Sequence, residues 1–204
     1  MSKVEDNKRQ KQDTLLKAAF DLFTEQGITK TSISEIVNRA GVAKGTFYLY
    51  FKDKYDIKNK LISHKASQIF KNAMTALEQS SFETTEDEII FIADNIIDQL
   101  TKNKTLLTFI SKNLSWGVFK NALTSPVAKN EIDFFDVYTK LLEESDNVYA
   151  EPEIMLFLIV ELVGSACHDS ILYSEPAPIQ ITKPYILNSV RNIINSHVVK
   201  KKEL

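Results

Sequence analysis

The sequence predicts an all-α fold, and three observations carry that prediction. Apolar residues recur at helical spacing along most of the 204 residues. Only five glycines and five prolines interrupt the pattern, mostly at segment ends. No stretch alternates polar and apolar residues as a half-buried strand would, and no internal repeat is present. The expected architecture has about nine helices: a three-helix N-terminal domain and a larger helical C-terminal one.

Residues 1–8 read as a disordered lead. A first helix over 9–26 sets Leu16, Ala19, Phe20 and Phe23 on one face, and Gly27 ends it with Ile28 folding back on Phe23. In the segment 32–51, Ser32 and Glu35 have the spacing of a capping box. Ile33, Ile36, Val37 and Ala40 then form one apolar face. Gly41 supplies a left-handed stop and Val42 packs back on Val37. Phe47 and Phe51, one turn apart, anchor a second short helix and leave Lys44, Gly45, Thr46, Tyr48 and Leu49 pointing elsewhere. Two short helices joined by a glycine turn are a helix-turn-helix, completing a domain over 9–55.

Asp53 is a credible N-cap for a long helix over 54–79, with Ile57, Leu61, Ala66, Ile69, Phe70, Ala73 and Leu77 inward. No linker separates it from the motif, so it would connect the two halves mechanically. Helices are expected at 85–100 and 104–113, and Ser125-Pro126 opens another to 144. Glu151-Pro152 begins a helix to 173, 174–181 is a loop, and a last helix spans 183–199 with Pro184 in its first turn. The second domain is therefore 56–199, and residues 200–204 read as a frayed tail.

Charge divides the chain. Residues 1–60 carry a balance of +4 and the remainder −6. A phosphate backbone is attracted to the first part and repelled by the second. The single cysteine, Cys167, excludes an internal disulfide and fits a cytoplasmic location. The polar N-terminus is no signal peptide, and the longest apolar run, 154–160, is broken by Glu161, so no membrane partner is expected. Glu161 itself suits a helix edge or an ion pair with Arg191. Phosphate-loop, nucleophile-elbow, zincin and dinucleotide signatures are missing, and the three histidines lie far apart, so no catalytic site, cofactor or metal site is predicted.

The ordered run Arg39-Ala40-Gly41-Val42, Lys44-Gly45-Thr46-Phe47-Tyr48 and Tyr50-Phe51-Lys52-Asp53-Lys54, preceded by Ser32-x-x-Glu35-Ile36, closely resembles the DNA-binding domain of TetR-family transcriptional regulators. The resemblance covers about a quarter of the chain. It implies that Lys44, Gly45, Thr46, Tyr48, Leu49 and Tyr50 face the major groove or its flanking phosphates, and that Lys54 is a phosphate clamp. The residue types agree. Lysine donates to guanine, threonine contacts a base edge or thymine methyl, and glycine permits close backbone approach. Ser34 is placed to reach a base edge, and Thr31 and Ser32 to hold a phosphate at the helix N-terminus.

The same resemblance implies a homodimer built from the last two helices, with Leu158, Leu162, Val190, Ile193 and Ile194 as the expected interface, reading an inverted-repeat operator. It also implies a small-molecule effector bound in the middle of the chain, which is rich in aromatic residues. Phe109, Asn113, Trp116, Phe134, Tyr138 and His168 are the candidate pocket, with an apolar or aromatic ligand. The reading is thus a repressor released by a ligand. Its rivals are a DNA-binding protein of the same kind with no small-molecule effector (nucleoid-associated or protein-regulated) and an enzyme on a helical scaffold.

Overall fold

Nine helices and a pair of short strands are present among residues 3–111, 116–117 and 134–201, the part of the chain that the computed structural model describes. Helix α1 (Lys3–Gln26) starts well before residue 9, so most of the expected disordered lead is helical. It ends at Gly27, φ +83°, whose N–H donates to the Phe23 carbonyl. Helix α2 (Ile33–Ala40) carries the full capping box, with Ser32 and Glu35 exchanging backbone-to-side-chain bonds. Gly41 closes α2 at φ 66°, and the N–H groups of Gly41 and Val42 reach Asn38 and Val37, the double closure of a Schellman turn. Helix α3 (Lys44–Tyr48) follows, and Phe47 and Phe51 are fully buried beneath it.

Helix α4 (Lys54–Glu78) begins at Asp53, whose carboxylate accepts from the N–H groups of Tyr55 and Asp56. It packs on α1 in the first domain and on α5 (Thr85–Lys102) and α6 (Lys104–Ser111) in the second. One core therefore runs without a break through both halves, from Leu15 and Ile36 to Val190 and Ile194. Helix α7 (Phe134–Glu144) is described from Phe134 onward. The predicted helix start at Ser125-Pro126, together with Asn113, lies outside the described residues.

Helices α8 (Pro152–Leu172) and α9 (Ile179–His197) pack along each other. Helix α8 is long and apolar enough, by length and composition only, to cross a membrane, with mean hydropathy 1.7 in its most apolar window. Glu161 does not divide it, because one glutamate on the exposed face leaves the buried face continuous. Arg191 pairs with Glu86 and, at 3.0 Å, with Asp87, so the alternative pairing to Glu161 is not made. Lys183 reaches Asp94 at 2.8 Å and Asp98 at 2.6 Å. Lys183 and Arg191 thus tie α9 to α5.

Two features depart from the sequence reading at the C-terminal end. The last helix starts at Ile179, with Pro178 as its N-cap, which moves Pro184 from the first turn into the helix. Gln180 and Pro184 are both exposed, so the carbonyl that loses its proline partner meets water. The expected tail is partly a strand: β1 (Asn147–Tyr149) pairs antiparallel with β2 (Val198–Lys201), and the register slips between Val148 and Tyr149.

Candidate nucleic-acid interface and apolar cavity

The second motif helix is short, and its orientation comes from its anchors. Phe47 and Phe51 pack against each other in the core with their rings tilted and 5.4 Å apart, and Lys60 holds the following turn by donating to the Tyr50 carbonyl at 2.9 Å while lying 5.2 Å over the Phe51 ring. Lys44, Gly45, Tyr48 and Leu49 consequently face solvent, with Leu49 77% exposed, and Thr46 and Tyr50 are half-buried. Nothing lies within 4 Å of a Cβ built on Gly45. The chain itself therefore does not require glycine there.

Ser34 is exposed on α2, beside the capping pair. Hydrogen bonds from Ser32 hold the Glu35 carboxyl below its ordinary pKa, so it stays ionised as the cap. Thr31 must be reassigned. It is 2% exposed and its hydroxyl donates to the Gly27 carbonyl at 2.9 Å while accepting from Gln26, so it stitches α1 to α2 and presents nothing to a phosphate. Lys54 is half-buried, and its ammonium donates to the Thr29 and Thr31 carbonyls at 3.2 and 3.0 Å. It pins the start of α4 to the turn ahead of α2, a strut that sequence reasoning missed. Lys60 was missed for the same reason: both donate to backbone carbonyls, which no side-chain motif encodes.

An apolar cavity of about 170 Å³ lies between α4, α5, α6, α7 and α8. Phe70, Met74, Ile92, Leu100, Leu141 and Leu156 form much of its wall. Of the expected pocket residues whose side chains are described, Tyr138 alone lines it, and its phenol donates to the Pro152 carbonyl at 2.9 Å. Burial raises the Tyr138 pKa, so the group stays a neutral donor. Phe109 is buried elsewhere, edge-on to Phe20 of α1 at 5.3 Å. Trp116 packs edge-on against Phe157 at 5.1 Å, and His168 bonds Asp169 at 2.7 Å. Asn113 and the side chain of Phe134 lie outside the described residues. Helix α4 supplies more of the wall than expected; the inward spacing of Ala66, Ile69 and Phe70 was the available signal.

The expected interface residues fall into two groups. Val190 and Ile194 are fully buried within the chain, so they are core and not available to a partner. Leu158 is 39% exposed, and Leu162 and Ile193 are half-buried. The open apolar surface lies on other faces of the same two helices, at Ile154, Phe157, Ile181 and Tyr185. Among the described residues no group of three or more acidic, histidine or cysteine side chains could hold a metal. Cys167 is buried and its thiol is pushed up to about 12, which leaves it unreactive.

The family model for "Bacterial regulatory proteins, tetR family" matches residues 15–60. An uncharacterized HTH-type transcriptional regulator of Bacillus subtilis (strain 168), YvdT, is 44% identical over 63 residues, covering 29% of this chain and 32% of that protein. The fatty acid metabolism regulator protein of the same organism is 41% identical over 64 residues, 31% and 33% of the two chains. These alignments span about a third of the curated relatives' length. Solved structures match more widely. The fatty acid degradation regulator FadR from Bacillus halodurans has TM-score 0.65 at 16% identity, over 88% of this chain and 97% of that one. FadR from Bacillus subtilis, in complex with stearoyl-CoA, has TM-score 0.65 at 17% identity, over 89% and 98%. At such identities the likeness is one of fold.

Proposed function

From the premise that residues 15–60 belong to the tetR family of bacterial regulatory proteins, on a chain with that family's all-α fold, we propose that this protein is a homodimeric repressor that leaves its operator when a small, largely apolar ligand fills the cavity. The observation that carries the reading is the shared helix. Helix α4 starts at the motif, where Lys54 and Asp53 fasten it, and its middle turns wall the cavity.

At about 170 Å³ the cavity is close to the engineered protein cavity of about 150 Å³ that accepts benzene, and it is smaller than most ligand sites. A longer ligand must displace a wall, and α4 is one of them. Displacing α4 moves the motif, so ligand and operator favour different conformations and each weakens the other by the same factor. The regulator of the same fold that is described with stearoyl-CoA supports an elongated apolar ligand.

On the DNA side, Lys44, Thr46, Tyr48 and Leu49 read the groove, with Ser32 and Ser34 at its edge. Two copies place their motifs about 34–36 Å apart on an inverted repeat. Selection of the purified full chain against a randomised duplex library tests this. Enrichment of an inverted repeat with half-sites one helical turn apart supports the reading. Binding that enriches no sequence would leave only an electrostatic DNA coat, and the repressor reading would be lost.

A further inference from the structure

Apart from tyrosine, two cavity-lining side chains are polar, Ser67 and Lys71, and both belong to α4, one turn apart on the same face. Tyr138 has already spent its hydroxyl on the Pro152 carbonyl. Among the described residues Ser67 and Lys71 have no hydrogen-bond or ion-pair partner. Lys71 is exposed and is also one of the residues lining the cavity, so it borders both the apolar wall and solvent, where a long side chain can keep its charge in water. A hydroxyl donor and an unpaired cation four residues apart are suited to one group, an anion with oxygen acceptors.

We propose that the ligand is an anionic amphiphile: its apolar chain fills the cavity and its anionic head is held by Ser67 and Lys71. This rests on the reading of the cavity as a ligand site and adds the chemistry of the polar end. The head group would then grip the same helix that carries the DNA-binding motif. The anion is a carboxylate on the chain itself or the phosphates of an acyl carrier, and both present oxygen acceptors to the same pair. Neutral and cationic lipids of the same length fill the cavity and leave Lys71 unpaired.

Calorimetry on the purified chain, with operator release as a second readout, tests this with decanoate, decanol, methyl decanoate and decanoyl-CoA. The expected result is that an anionic compound binds about tenfold or more tightly than decanol, a ratio that one charge-assisted hydrogen bond supports. Lys71→Met keeps the stem and should abolish the preference, and Lys71→Arg should restore it. Because Lys71 is exposed, both variants should fold as the parent does. Binding of decanoyl-CoA alone assigns the head to a phosphate carrier, and binding of decanoate assigns it to the chain's own carboxylate; either supports the proposal. Equal affinity for decanoate, decanoyl-CoA and decanol, or a preference that persists in Lys71→Met, overturns the anion assignment and leaves the cavity reading standing. Failure of all four to bind overturns both.

Discussion

Gly45 is the residue whose identity the chain explains least by itself. A Cβ there meets nothing within 4 Å, and glycine is the poorest non-proline helix former, so alanine is the better residue for folding. What remains is an outside partner that must come close to the backbone. Gly45→Ala should raise stability by up to about 1 kcal/mol while weakening operator binding by tenfold or more. Thermal unfolding and a binding isotherm on the same preparation decide it, and a variant improved in both would remove Gly45 from the interface. Lys54 poses the opposite question, since its ammonium is already engaged by two carbonyls and has one N–H left. Lys54→Met should cost about 1–3 kcal/mol of stability through those charged bonds. It should also lower the slope of log affinity against log salt by about 0.9 if the third N–H meets a phosphate. An unchanged slope would make Lys54 a strut alone.

Helix α6, like α4, touches both halves. Ile110 lines the cavity, and its neighbour Phe109 lies edge-on to Phe20 of α1, over whose ring the Lys65 ammonium sits at 4.9 Å. Phe109→Leu should leave ligand affinity in the DNA-free protein nearly unchanged and reduce the ligand–operator coupling by about 0.5–2 kcal/mol. Full coupling in that variant would confine the signal to α4. The sequence placed Phe109 in the pocket because the middle of the chain is rich in aromatic residues, and an apolar residue's identity does not say which neighbour covers it. The caps and closures of the motif were legible for a different reason: capping, glycine closure and aromatic anchors are local and leave marks at fixed spacing. The same limit explains Val190 and Ile194, whose stripe is apolar as a dimer face would be and is spent on the core. Strand β1 has three residues, too few to display alternation, and its partner β2 lies two helices further along the chain. Thr31 looked like a phosphate ligand because the sequence does not disclose that its hydroxyl is already bonded to the Gly27 carbonyl.

At the scale of the whole molecule, the surplus of apolar surface has one economical use. Ile154, Phe157 and Leu158 on α8 and Ile181 and Tyr185 on α9 are between 36% and 74% exposed, on helices already packed together. The same pair of helices is tied to α5 by Lys183 and Arg191, so it is presented as a rigid face. In the homodimer we propose, a second copy related by a two-fold axis would bury that face against itself and set two motifs at a fixed separation. Leu158→Asp and Tyr185→Asp change exposed positions, so each should leave the monomer folded and stable to within about 1 kcal/mol. Each should shift sedimentation from dimer to monomer at micromolar protein. Binding to an isolated half-site should be untouched, because the motif is intact. Binding to the full inverted repeat should fall by about 100-fold or more, the loss of avidity when two linked contacts become separate ones. Variants that stay dimeric would place the interface on another face. Monomers that still bind the full repeat tightly would sever dimerisation from operator recognition.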